Sequence, residues 1–289
     1  MSTLKEVQSA CLVLLNEFDR ICKKNNIVYY MDSGTLLGAV RHQGFIPWDD
    51  DIDVSVFRKD YPALLSALKE ELKDGFLFVE PGSYEGLFYD WIPRILLVNS
   101  QRESENAEHN AYRQLDNKIG LDIFIIDEIP DSPFRTKCAQ LKQTLVYGLA
   151  LGHRYHLNFR RYHGLSKIFV FLLSLAGRLF SLSHLIELQQ KWACQYNGKN
   201  CRRVKLYNYP VGECNLTFQK AWFEASPVIL RFESLRLYAP ENYHEVLTTL
   251  YGNYKQLPPL EKQIPEHGNL SETVIDMDFV RSCLEEMNK

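Results

Sequence analysis

The chain has 289 residues, of which 46% are hydrophobic and 24% charged, and its net charge is −3. This is ordinary globular composition with enough apolar material for a core, so no disulfide scaffold is required. The slightly acidic balance gives no overall attraction for nucleic acid, and none is expected as a partner.

Leu4, Val7, Cys11, Leu14, Leu15, Phe18, Ile21 and Cys22 recur at helical spacing, which predicts an amphipathic helix from about Thr3 to Lys24. Asn25-Asn26 ends it, and Ile27 to Met31 is a β-prone run. Asp32-Ser33-Gly34 is a turn, Thr35 to Arg41 a short helix, and His42 to Asp50 a loop holding Gly44 and Pro47. Asp51 to Phe57 is the second predicted strand and Asp60 to Leu72 the next helix. Phe76 to Val79 and Trp91 to Val98 are further strands, whereas Gln101 to Asn117 is polar, without period, and is expected to be a mobile substrate loop. Leu121 to Ile126 is an apolar strand interrupted by Asp122 and closed by Asp127 and Pro130.

After about Thr136 the pattern turns mostly helical, which sets a boundary near Pro133. Residues 1–133 form the expected catalytic core and 134–289 a mainly helical region packed on it. Ile168 to Ile186 is strongly apolar but is broken by Arg178 and His184, short of the roughly twenty residues that span a bilayer. Arg154, Arg160, Arg161 and Lys167 precede it. A buried helix with a solvated basic lead-in is the preferred reading, and peripheral membrane contact through residues 153–186 is the alternative.

Seven cysteines, among them Cys11, Cys22 and Cys214, form no CxxC pair and match no compact zinc pattern, so free thiols in a reducing compartment are expected. The N-terminal MSTLKEVQSA lacks the apolar region of a secretory signal. Cytoplasmic residence is expected, with the inner face of the membrane as its possible limit.

The chemistry is concentrated in Trp48-Asp49-Asp50-Asp51-Ile52-Asp53. On an extended backbone Asp49, Asp51 and Asp53 share one face, because strand side chains alternate. Neighbouring carboxylates repel unless a cation compensates, and hard divalent ions take oxygen ligands and bridge them to phosphates. Asp51 and Asp53 are therefore read as metal ligands, although a bare acidic run is also what a solvated turn after Pro47 looks like. Upstream, Ser33-Gly34-Thr35 between a strand and a helix has the makings of a phosphate cradle, with a simple helix cap as the plainer reading. A third carboxylate is expected from Asp122, since a buried Asp needs a partner or a metal. Asp127, beside Pro130, is the competing choice and reads as a turn cap.

The run from Ser33 to Asp53, SGTLLGAVRHQGFIPWDDDID, closely resembles the signature of the LicD family of phosphocholine transferases, distant relatives of fukutin-related proteins. The resemblance extends to Leu121-Asp122-Ile123-Phe124, Phe232-Glu233, Tyr251-Gly252-Asn253-Tyr254 and Leu257-Pro258-Pro259. It implies a nucleotidyltransferase-like α/β (α+β) core, a mixed sheet flanked by helices, with a helical C-terminal extension. It also implies Mg²⁺ or Mn²⁺ on Asp51, Asp53 and Asp122, with Asp49 as an extra ligand or general base. Ser33, Gly34 and Thr35 would contact phosphate and Arg41 would neutralise a donor diphosphate, unless Arg41 is only a surface residue at a helix end. Trp48 and Phe45 either shape the pocket or pack.

The implied reaction moves phosphocholine, or a related phospho-substituent, from a CDP-linked donor such as CDP-choline to a hydroxyl of a cell-surface glycan or its lipid-linked precursor. Transfer of NMP from NTP to a sugar or phosphate is the alternative. Asn253 stands where many relatives are acidic, so that motif is assigned no catalytic role. His267 is read as a surface histidine rather than a phosphate contact.

Overall fold

A computed structural model describes residues 2–208, 216–224, 226–265 and 270–287. Cys214 and His267 lie outside the described residues. The first helix, α1 (Leu4–Lys24), opens with a capping box in which Thr3 and Glu6 satisfy each other's backbone N–H groups. Its apolar stripe, from Val7 to Cys22, is buried. There follow β1 (Tyr29–Met31), α2 (Ser33–His42), β2 (Asp53–Phe57), α3 (Tyr61–Glu71), β3 (Phe76–Val79), β4 (Arg94–Leu97) and β5 (Ser100–Gln101). The polar segment expected to be a loop holds a short helix, α4 (Ala107–Ala111), capped by the Asn106 side chain. Then comes the long central strand β6 (Gly120–Ile129).

The order β1-β2-β6-β4-β3 makes a mixed sheet in which β2 and β6 run parallel and the other pairs antiparallel. Alternation along β6 buries Leu121, Ile123 and Ile125 on one side, and α1 lies across β4 and β6. The second edge of β6 is shared. Its N-terminal half pairs with β4 and its C-terminal half with β7 (Arg203–Leu206). Between them the Asn208 amide substitutes for a strand, accepting from Ile125 N at 2.9 Å and donating to Ile123 O at 3.0 Å. Asp127 is no turn cap. It lies inside β6, fully buried, and receives a two-pronged ion pair from Arg58 at 2.9 and 2.7 Å. The strand runs past Ile126 because β7 continues its ladder.

The region after residue 133 begins with α5 (Pro133–Ala150), α6 (Gly164–Gly177) and α7 (Leu182–Ala193). The chain then returns to the sheet through β7 and β8 (Phe218–Gln219). After a one-turn helix, α8 (Ala221–Glu224), the hairpin β9 (Val228–Phe232) and β10 (Leu235–Ala239) packs on β1. The last elements are α9 (Tyr243–Tyr251), which packs on α2, β11 (Val274–Ile275), which pairs with β5, and α10 (Met277–Met287), which packs on α1. One hydrophobic cluster therefore holds residues from Val7 to Val280, and a smaller one around Phe88, Trp91, Val146 and Leu185 seats the helical segment.

The reading of the apolar stretch as a buried helix is corrected here: only Ser174 and Gly177 of α6 are buried, Val170 and Leu173 are half-buried, and its other large apolar side chains face outward. Where α6 meets the backbone at Leu149 and Gly152 its inward positions hold small residues because nothing larger fits, whereas Leu173 packs over Gly148 of α5. A Cβ on Gly177 would come within 1.9 Å of Leu149 O. Among the described residues Cys11, Cys22, Cys138, Cys194, Cys201 and Cys283 are free thiols.

Candidate active site

A cleft of about 2070 Å³ opens over the ends of β2, β4 and β6 and extends to the flank of α6. Pockets that take one small ligand are usually about 300–1,000 Å³, so this one has room for two substrates side by side. Its floor is a row across three strands. Asp53 of β2 is the register partner of Asp122 on β6, and Asp122 is in turn the partner of Arg94 on β4. Register partners project to the same side of a sheet, so the three side chains form one line.

Arg94 clamps two carboxylates. It gives Nε to Asp122 Oδ1 at 2.8 Å and Nη2 to Asp122 Oδ2 at 3.2 Å, and it holds Asp90 through Nη1 and Nη2 at 2.9 and 2.7 Å. The face of the guanidinium lies over Tyr89, 5.3 Å from the ring centre. Burial opposes the Arg94 charge, but Asp122 and Asp90 outweigh it, and its pKa is raised well above normal. Asp122 is itself shifted upward, by burial, against the pull of Arg94. Asp53 is raised further: burial is the main cause, followed by the charges of Asp51, Asp122, Asp32 and Asp49. Half-buried oxygen donors carrying more negative charge than one arginine offsets are suited to a hard divalent cation.

The backbone around this row is fixed at several points. Asp53 N–H donates to Thr35 Oγ1 at 2.8 Å, and Asp53 C=O accepts from Asp32 N at 3.0 Å. Thr35 is buried and does not line the cleft. Its hydroxyl ties α2 to the start of β2, under the site. Asp32 caps α2 through Ser33 N at 2.7 Å, and burial raises the Asp32 pKa. Ser33 sits at φ +45°, a left-handed backbone at the first residue of the helix, and lines the cleft together with Gly34.

The glycines of the signature now have reasons. A Cβ on Gly34 would come within 2.7 Å of Asp49 Oδ2, so the Asp49 carboxylate rests on bare backbone at the α2 N-terminus, where anions are favoured. A Cβ on Gly38 would strike Gly44 O at 2.4 Å. One on Gly44 would strike Glu233 Oε1 at 2.1 Å, the carboxylate that accepts from Phe45 N at 3.1 Å. The Gln8 amide holds the loop from the other side through Ile46 O and Asp49 O at 3.3 and 2.9 Å.

Residues 49–52 are not in a strand, because β2 begins at Asp53, and the expected alternation of faces applies only from there. Asp49 and Asp51 line the cleft. Asp50 is fully buried and bridged to Arg102 Nη1 at 3.0 Å, with Arg102 Nη2 on its own C=O at 2.7 Å. Carboxylate oxygens of Asp49, Asp50 and Asp51 fall within 4.8 Å of one another, a grouping that follows from their adjacency. The Arg102 bridge and the absence of Asp50 from the cleft lining set that residue apart.

Arg41 lines the cleft 6.0 Å over the Trp48 ring and donates Nη1 to Tyr254 O at 3.1 Å. Trp48 is a cleft residue, whereas Phe45 packs against Phe232 with ring centres 4.8 Å apart. Three participants were not found from sequence. Arg94 could have been, since an arginine inside an apolar strand run is the same signal that singled out Asp122, and Asp90, just before that run, follows only from its bond to Arg94. Tyr251 belongs to the motif given no catalytic role, yet α9 brings it into the cleft lining. Burial, then the charges of Asp53, Asp32, Asp49 and Asp51, push its pKa up, so its phenol stays a proton donor. Around this acidic floor stand Lys118, Arg154, Arg161 and Lys262.

Residues 26–115 match the family described as LicD/FKTN/FKRP, nucleotidyltransferase domain. The chain is 29% identical over 275 residues to the lipopolysaccharide cholinephosphotransferase LicD of Haemophilus influenzae, covering 92% of this chain and 96% of that protein. An uncharacterized protein of Rickettsia prowazekii is 53% identical over 47 residues, 16% of this chain and 18% of the other. The human ribitol 5-phosphate transferase FKRP is 37% identical over 54 residues, 17% of this chain and 11% of that one.

Proposed function

We propose that the chain, which matches the LicD/FKTN/FKRP model over residues 26–115 and resembles a LicD cholinephosphotransferase over nearly its whole length, transfers phosphocholine, or a related phospho-substituent, from a CDP-linked donor to a hydroxyl of a cell-surface glycan or its lipid-linked precursor. The observation that carries this reading is the register pair Asp53–Asp122 at the end of a helix whose first residues, Ser33 and Gly34, line the same cleft. The similarity to a cholinephosphotransferase along nearly the whole of both chains supports the choice of transferred group.

Asp51, Asp53 and Asp122 would hold Mg²⁺ or Mn²⁺, which when bound polarises the donor phosphate and stabilises the CMP leaving group. The protein's own part is positioning and charge. Ser33 and Gly34 present the α2 N-terminus to the donor diphosphate, and Arg41 adds a cation beside it. Arg94 fixes the orientation of Asp122 with two bonds and offsets one negative charge. Asp49, on the bare backbone of Gly34, is placed to accept the acceptor hydroxyl's proton. In the balanced step the acceptor oxygen bonds to phosphorus as the bond to the CMP oxygen breaks. The hydroxyl proton goes to a carboxylate and the electron pair leaves with CMP. Tyr251 keeps its proton and can donate a hydrogen bond to a phosphate oxygen.

The test is incubation with CDP-choline or CTP, divalent metal and crude glycan acceptor. Release of CMP with labelled choline on the acceptor is the expected result. Release of pyrophosphate from CTP would replace this reading with nucleotidyl transfer.

A further inference from the structure

The α6 helix is inside out for a water-soluble protein. Leu165, Ile168, Phe171, Leu172, Leu175 and Leu179 form a continuous apolar stripe, from 52% exposed at Phe171 to 84% at Leu165. Contiguous exposed hydrocarbon of this kind marks an interaction surface. Its opposite side is seated permanently on α5 and the turn after it, since a Cβ on Gly152 would meet Ser174 O at 2.1 Å and one on Gly177 would meet Leu149 O at 1.9 Å. Helix rotation therefore has no better alternative to offer.

The charge around the stripe identifies the partner. Residues 132–186 contain eight Lys or Arg and no Asp or Glu, in a chain whose net charge is −3. Phe159 packs on Phe171 with ring centres 6.1 Å apart, which holds the short turn Phe159–Arg161, and with it Arg160, beside the apolar stripe. Lys167 lies in the first turn of the same helix. Hydrocarbon edged by cations and free of anions is complementary to an anionic bilayer surface, with acyl chains below and phosphates at headgroup level.

The length decides how the helix meets that bilayer. Fourteen residues reach about 21 Å, short of the roughly 30 Å hydrocarbon core. No single helix among the described residues is long and apolar enough to cross a membrane, and α6 and the segment from Leu182 to Tyr196 meet at 116°. A helix so placed lies in the interface and does not span it.

We propose that α6 is an in-plane membrane-surface helix that docks the enzyme on anionic lipid. Its inner flank, through Phe169, Val170 and Leu173, also lines the cleft. If the transfer reading holds, a lipid-linked acceptor is met at the mouth of the site without leaving the bilayer; the docking itself does not depend on that chemistry. The test is flotation of the full chain with vesicles of phosphatidylcholine alone or mixed with phosphatidylglycerol, which needs neither donor nor acceptor.

The chain is expected to float with the anionic vesicles, less so as salt rises. Ile168→Glu with Leu172→Glu should lower partitioning by at least about tenfold, and Arg160→Glu with Lys167→Glu should lower it on anionic vesicles only. Unchanged circular dichroism in both variants keeps the result about binding. A chain that stays in the supernatant, or a double-Glu variant that floats undiminished, overturns the proposal. So does a dimer that the double-Glu variant dissociates while vesicles bind neither form, because the stripe would then be a subunit contact.

Discussion

The cleft floor and the outer face of α6 break the usual rule of burial in opposite directions. At the floor, carboxylates are packed into the end of a sheet where their charge is poorly solvated. On α6, hydrocarbon is left in water while glycine and serine occupy the interior. Both arrangements cost free energy in the isolated chain. The two regions also differ in how they are held. The floor is fixed by a mesh of polar contacts, from Thr35, Arg94, Arg102, Gln8 and Glu233. The α6 face is fixed by the shape of its back. On the two proposals made above, each is preorganised for something outside the chain: a cation and phosphates in one case, a lipid surface in the other.

The comparison is broken most directly by removing charge from the floor. Asp51→Asn with Asp53→Asn should cut transfer by at least about 10³-fold, roughly 4 kcal/mol of barrier, with the circular dichroism spectrum intact. Activity within tenfold of the parent would mean that the floor is not the reacting centre. Next comes the clamp. Arg94→Met leaves Asp90 and Asp122 without their shared cation and should lower stability by about 3 kcal/mol, as loss of one partner of a buried pair does. Arg94→Lys should fall between, since an ammonium cannot fork to two carboxylates. Urea titration would measure both. Gly38→Ala pushes on the Gly44 carbonyl and should cost about 1–3 kcal/mol together with loss of transfer. Gly177→Ala should cost a similar amount while leaving transfer to a soluble acceptor intact.

Smaller effects sharpen the contrast. The Asp53 pKa is raised on folding, so its contribution to stability is full below the unfolded value and is lost as pH rises through the folded one. The thermal midpoint of the metal-free chain should therefore fall as pH is raised from acid toward neutral, and Mg²⁺ should restore it. Asp53→Asn should flatten both responses. A pH-independent difference between the two chains would show that Asp53 is not the group responsible. Ile168→Glu with Leu172→Glu should leave the thermal midpoint nearly unchanged, because both side chains are already in water.

Much of this site was legible along the chain because its parts are close in sequence. The helix α2, the acidic run and β2 follow one another within 33–57, and the signature glycines mark points where the loop touches itself or its neighbours. Asp122 was legible for a different reason: a charge inside an apolar strand has to be accounted for. Arg94 carried the same kind of signal but meets Asp122 only through the β4–β6 register, which no local pattern encodes, and Asp90 joins them through Arg94. Asp127 was misplaced because the pairing that extends β6 comes from β7, more than seventy residues later.

The sequence by itself determined the acidic run, the turn at Ser33-Gly34 and the α/β frame, since these rest on periodicity, turn chemistry and charge within short windows. Only the tertiary structure decided which carboxylates face the cleft, that Asp50 turns to Arg102, that Thr35 supports rather than lines the site, and that Tyr251 joins it. It also decided which way α6 faces. Apolar periodicity says that a helix has a hydrophobic side; whether that side points in or out depends on how closely its neighbour's backbone approaches, and here the backbone at Leu149 and Gly152 comes too near for any side chain larger than glycine or serine at Ser174 and Gly177.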